Sequence, residues 1–260
     1  MQADSHIWDR WANDTPDQDA LRLYQHTIAN VAADQPDFHL SLGDYSQAAF
    51  SLTRRHAMDH YLLQRRYLDP LLHSVPFYLV LGNHEGELGY TCAEGDSVPA
   101  WAEYARRAFV PNPHPDGFYT GCPDPPLVGD GWRESYYAWE WGDALFVVLD
   151  PFWATTERPF HNDVPADGTG WNWTLGQAQY EWLHETLAGH GHQWAFVFIH
   201  HLVGGVGHVN DYYGRGGIEA AKFAVSENPS FEWGGEDAHG FHAYAERRPG
   251  WSHGPIHDML

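Results

Sequence analysis

Three short polar clusters in this chain close apolar runs: Gly43-Asp44 follows "HLSL", Gly82-Asn83-His84-Glu85 follows "YLVL", and His200-His201 follows "AFVFI". Asp4-Ser5-His6 obeys the same rule if a strand precedes it. A surface turn uses glycine and at times asparagine, but it has no need of an imidazole and a carboxylate together. Collected in one place, these residues offer carboxylate oxygens, an amide oxygen and imidazole nitrogens, with no sulfur. That donor set suits divalent or trivalent Mn, Fe, Co or Zn. A carboxylate such as Asp44 has two oxygens and can hold two ions about 3.5–4 Å apart, the separation at which a metal pair activates water and offsets charge on a substrate. The chemistry on offer is metal-assisted hydrolysis.

Residues so far apart in the chain meet only if the fold carries them to one edge. "DALRLYQHTIANVAAD" places Leu21, Leu23, Tyr24, Thr27, Ile28 and Val31 near one helical face, with Asp19 as the capping residue. "FHLSLGDY" reads as a short buried strand, Arg54 to Leu72 as a second helix, and "VPFYLVLGNHE" as the next strand. Strand, helix, strand with apolar strands is the pattern of a parallel sheet covered by helices, and the carboxyl ends of parallel strands share one crevice. From Gly86 to about Glu134 the chain turns irregular, with "VPAWAEYARRAFV" as its one helical stretch, and this length marks a functional insertion. "ESYYAWEWGDALFVVLD" reads as a hairpin turning at Gly142-Asp143 and opening a second sheet. A helix capped by Thr174 and stopped at Gly189 then leads into the strand Trp194 to Ile199. The remainder, 203–250, is rich in glycine and aromatic residues without periodicity, and "PIHDML" starts a further helical turn.

Composition narrows the function classes. The formal charge of −21 comes with a single lysine, Lys222, so binding to nucleic-acid backbones is disfavoured. An acidic chain acting on an anion needs local positive charge, and a bound metal ion supplies it compactly. Halophilic or extracellular adaptation explains the same excess of acid, and it favours an extracytoplasmic setting, periplasmic or secreted. Cys92 and Cys122 are the only cysteines; they could close one loop as a disulfide or stand as free thiols. No run is long enough to span a membrane.

Asp4-x-His6, Gly43-Asp44, Gly82-Asn83-His84-Glu85 and His200 resemble, in order and spacing, the first four motif blocks of the calcineurin-like metallophosphoesterases. "LGQAQYEWL", Leu175 to Leu183, is similar to the helix that precedes the fourth block. The resemblance implies a four-layer α/β/β/α sandwich of two mixed sheets forming one domain over residues 1–260, and hydrolysis of a phosphate mono- or diester by a hydroxide bound to a dinuclear metal centre. It assigns Asp4 and His6 to the first ion, Asp44 to both, and Asn83 and His200 to the second. His84 would lie unligated, acting on the leaving oxygen, and Glu85 would orient the ligands from behind. Two departures from the family pattern stand out. No Gly-His-x-His block follows His200: "GVGHVN" has Asn210 where a histidine is needed, and "HGPIH" has the wrong spacing. That absence suggests a chain clipped at both ends. Gln47 occupies the position where purple acid phosphatases carry tyrosine.

Tyr45, His201, His208 and Arg215 are further candidates for holding a small phosphorylated substrate, Arg215 through a bidentate contact. "WNW" (Trp171 to Trp173) and "FEWGG" (Phe231 to Gly235) could rim a site or pack a loop. Two other functions fit the same residues: a non-catalytic metal- or ligand-binding module on this scaffold, and a dinuclear hydrolase of an amide or sulfate ester.

Overall fold

Two apolar segments too short to stand alone pair in parallel at the centre of the N-terminal half. The computed structural model describes residues 1–9, 15–93, 95–159, 172–191, 193–201, 234–237 and 240–260. His208, Arg215, Trp171 and Phe231 to Trp233 lie outside these residues. The chain is mixed α/β and divides into two compact units, Met1–Tyr137 and Ala138–Leu260.

In the first unit, β1 (Trp8–Asp9) and β2 (Thr15–Pro16) form a short antiparallel ribbon. Helix α1 (Gln18–Asp34) follows. Its cap is Asp17, whose carboxylate accepts from the Asp19 and Ala20 amides, so Asp19 sits inside the first turn and is not the cap. Leu21, Tyr24 and Ile28 form the buried stripe; Leu23, expected on that face, is 70% exposed because it falls more than a third of a turn off the line. Strand β3 (His39–Ser41) pairs in parallel with β4 (Phe77–Leu79), Leu40 opposite Tyr78. Gln2 bridges Ser41 in parallel on the other side, so the segment before Asp4 does join the sheet.

The crossover between β3 and β4 is α2 (Arg54–Leu72), capped by Thr53 and burying Ala57, Tyr61, Leu68 and Leu71. Each such side chain stabilises the unit by roughly 1–3 kcal/mol. The predicted insertion contains α3 (Val98–Phe109), with Pro99 in its first turn, and β5 (Thr120–Gly121). Cys92 is exposed and Cys122 buried, and both are free thiols.

The second unit takes over inside β6 (Tyr137–Trp141), which turns at Gly142-Asp143 into β7 (Ala144–Val148). Helix α4 (Gln177–Gly189) carries the chain across to β8 (Trp194–Phe198), parallel to β7. The residue flanking α4 is Gly176, not Thr174; the Thr174 hydroxyl instead accepts from the Gly176 amide one step earlier. Leu145, Val147, Leu149, Leu175, Tyr180, Leu183 and Ile256 make the core of this unit. β8 stands last in its sheet's order among the described strands, leaving Trp194 and Phe196 57% and 46% exposed. A ribbon, β9 (Gly234–Asp237) with β10 (Gly240–Ala243), and the short helices α5 (Tyr244–Arg247) and α6 (Ile256–Met259) complete the unit. No helix among the described residues is long and apolar enough to cross a membrane.

Candidate metal centre

Three chain segments leave the carboxyl-terminal rim of the first sheet side by side: the one after Gln2, the one after β3 and the one after β4. They are tied together by backbone, the Asp4 amide donating to Gly43 O at 3.0 Å. Asp4, His6 and Asp44 have φ of 52°, 30° and 49°, a left-handed conformation disfavoured for residues with a Cβ. Three such residues at one rim store local strain, and it turns side chains inward that ordinary strand ends would splay apart.

Glu85 fixes the second and third segments against one another. This carboxylate is fully buried; Oε2 accepts from the Asp44 amide at 2.9 Å and the Gly82 amide at 2.6 Å, and Oε1 accepts from the Ser46 amide at 2.8 Å. Gly82 is required by close approach: a Cβ there would stand 2.2 Å from Asp44 Oδ1 and 2.4 Å from the Asp44 amide nitrogen. In return, Asp44 Oδ1 accepts from the His84 amide at 2.9 Å.

That bond occupies Oδ1 and turns Asp44 Oδ2 to the imidazoles, 3.5 Å from His6 Nε2 and 3.9 Å from His84 Nε2. His6 Nε2 also lies 3.6 Å from Asp4 Oδ1, and the His6 and His84 rings meet edge-on at 4.6 Å. His6, Asp44 and His84 thus offer ligand atoms within 4.8 Å of one another. Burial pulls the His6 pKa down, but the Asp44 hydrogen bond and the charges of Asp44, Asp4 and Glu85 outweigh it and hold the imidazole above its ordinary value. The site therefore favours positive charge at this point.

The donors fit a metal ion on a further observation. Gln47 Nε2 lies 3.4 Å from His6 Nδ1, while the buried Gln47 Oε1 has no hydrogen-bond partner among the described residues. Amide nitrogen and oxygen exchange by a half-turn. Turned over, Oε1 accepts the Nδ1 proton, and the Nε2 lone pair is left for an ion, which is how metal-bound histidines are held. From the sequence alone Gln47 stands out only as a missing tyrosine. Its spacing of three residues from Asp44 was the available signal.

Asn83 opens the 3-10 turn Asn83–Glu85, half-buried at the same rim. Tyr45 is fully buried against Tyr61 and Phe77, so it packs the core and cannot hold a substrate as expected. His201 is likewise withdrawn, 4% exposed and edge-on to Phe152 and Trp173 at 4.8 and 5.0 Å. Trp173 is itself buried there, so within "WNW" it packs the loop. His200 follows β8 in the second unit, half-buried with its ring 6.2 Å from Phe152. Its strand belongs to the second sheet and not to the one carrying Asp44 and Asn83, so a single parallel sheet does not deliver all the donors. Sequence reasoning also missed Glu87 and Arg106, a buried pair directly behind the third segment, with Nε–Oε1 at 2.6 Å and Nη2–Oε2 at 3.1 Å.

A family model described as calcineurin-like phosphoesterase matches residues 3–230. Among solved structures, the purple acid phosphatase PPD1 of yellow lupin (Lupinus luteus) seeds is similar at 16% identity and a TM-score of 0.44, over 77% of this chain and 29% of that one. This chain therefore spans less than a third of the length of that protein. No curated protein matches it.

Proposed function

The chain belongs to the calcineurin-like phosphoesterases, and from that premise we propose that it hydrolyses phosphate mono- or diesters with two metal ions held at the rim of β3 and β4. Asp4 and His6 would hold the first ion, Asp44 would serve both, and Asn83 and His200 would complete the second. When bound, the ions supply an ionised water at neutral pH and the positive charge that a chain of net charge −21 lacks for an anionic substrate. The chain's own residues do the rest. Gln47 sets the His6 tautomer, and Glu85 holds Asp44 and the 82–85 turn in register. His84, 25% exposed at the side chain, gives a proton to the departing ester oxygen or clamps its charge.

The observation that carries this reading is the division of labour within Asp44: one oxygen is spent on the His84 amide and the other faces two imidazoles. Asp44→Asn is the test. It keeps the shape and the amide contact but removes the charge, so elemental analysis should find most of the metal gone, and turnover of nitrophenyl phosphate should nearly vanish with the far-ultraviolet circular dichroism unchanged. Full turnover in that variant would overturn the shared role.

One observation favours a second reading. Asn210 stands where the family pattern calls for a histidine, which fits a scaffold that holds a single ion and acts as a binding module. Near-stoichiometric occupancy by two ions decides for the hydrolase.

A further inference from the structure

We infer that Phe50 forms a wall on the leaving-group side of this site and selects phosphate esters whose leaving group is aromatic. The inference rests on the hydrolytic reading above and deepens it by naming a substrate class.

His84 is the imidazole assigned to the departing oxygen, so whatever stands beside it stands beside the leaving group. One side of its ring meets His6. Another meets Phe50, with ring centroids 5.1 Å apart at 75°, an edge-on contact. Phe50 is 36% exposed and its near neighbour Leu52 81% exposed. Single exposed apolar side chains are common on any protein surface. Here, however, the exposed ring touches the one histidine given a proton-transfer role.

The wall is also fixed before any ligand arrives. Phe50 ends the 3-10 turn Ala48–Phe50, its amide donating to Gln47 O at 3.1 Å. That turn lies directly against the backbone after Glu85. Gly86 has φ of +86°, and a Cβ there would stand 2.8 Å from both Cα and N of Ala49. The two backbones are packed too closely here to admit even a Cβ, and this holds the turn that carries Phe50 beside His84. The ordering cost of stacking a ligand ring is correspondingly small. Asp44, Gln47 and Phe50, at steps of three along one segment, thus provide a ligand, the partner of a ligand and the wall.

Edge and face contacts between aromatic rings, added to the apolar area they cover, give roughly tenfold selectivity. Benzylphosphonate and ethylphosphonate both carry CH₂ in place of the ester oxygen and differ only in the group beyond it. Calorimetric titration of the manganese-loaded protein should show benzylphosphonate binding roughly tenfold more tightly. Phe50→Ala should erase that difference, and Phe50→Leu should leave a reduced one. Equal affinities in the unsubstituted protein, or a preference that survives in Phe50→Ala, overturns the wall and leaves the hydrolytic reading standing. Failure of both phosphonates to bind overturns the two together.

Discussion

Glu85 and Glu87 leave the same turn on either side of Gly86, and these two buried carboxylates are satisfied in opposite ways. Glu85 takes its hydrogen bonds from three backbone amides, of Asp44, Gly82 and Ser46. Amides carry no net charge, so its negative charge still acts on the site, and it is one of the charges that raise the His6 pKa. Glu87 is paired with the fully buried Arg106, which also donates to Arg133 O and lies 3.7 Å from Glu134. Burial pulls the Arg106 pKa down, but Glu87 more than reverses this, so the guanidinium stays charged and cancels its partner. Two residues of one type, one glycine apart, thus do different work: one adds to a field that draws cations in, and the other locks the chain behind the site to α3 and the end of the insertion.

The largest effect should come from opening the closed pair. Arg106→Met leaves Glu87 and Glu134 buried without their cation and should cost about 3–5 kcal/mol in urea unfolding. Adding Glu87→Leu should recover a large part of that loss, since an apolar pair of similar volume often replaces a buried ion pair at little cost. A loss under about 1 kcal/mol in the single variant would show that the pair does not hold this region together.

Glu103 extends the same network and gives a smaller, pH-dependent effect. Burial, and then the charge of Glu87, push its carboxyl up to about 7, against the opposing pull of Arg133. A folded-state pKa above the unfolded value of 4.5 means that the native protein binds the proton more tightly. Its contribution is therefore complete below pH 4.5 and is lost as pH rises through 7. Glu103→Gln should flatten that decline, which amounts to up to about 1.4 kcal/mol per pH unit, in unfolding curves between pH 5 and 8. An unchanged slope would mean that Glu103 stays ionised beside Arg133.

How legible these regions were depends on which interactions are local. Helix α2 was readable at roughly Arg54 to Leu72, and the structure adds Thr53 as its cap. The hairpin at Gly142-Asp143 was readable as well. The caps of α1 and α4 were misplaced by two residues, since Asp17 and Asp19, or Thr174 and Gly176, offer competing starts that only backbone geometry decides. Asp4, His6, Asp44 and His84 were legible as strand-end residues with metal-binding chemistry. The burial of Tyr45 and His201 was not, because a polar aromatic reads alike in a core or at a rim until its neighbours are known. The Glu87–Arg106 pair spans 19 residues and joins a loop to the inside of α3, so no periodicity announced it.

The finest way to separate the two carboxylates is to neutralise each without changing its shape. In Glu85→Gln the new NH₂ must face an N–H group whichever way the amide turns: Ser46 on one side, Asp44 and Gly82 on the other. One conflict is unavoidable, costing roughly 1.5 kcal/mol of stability. The negative charge behind Asp44 disappears with it, so metal affinity should fall about 10- to 100-fold in a chelator-competition titration. In Glu87→Gln one carbonyl oxygen remains to accept from Arg106, and the charge removed was already cancelled. Stability should fall there while metal affinity holds. Equal losses of affinity in the two variants would erase the distinction, because both carboxylates would then serve only to keep the turn folded. A loss confined to Glu85→Gln ties the cation affinity of the rim to the charge of the Glu85 carboxylate.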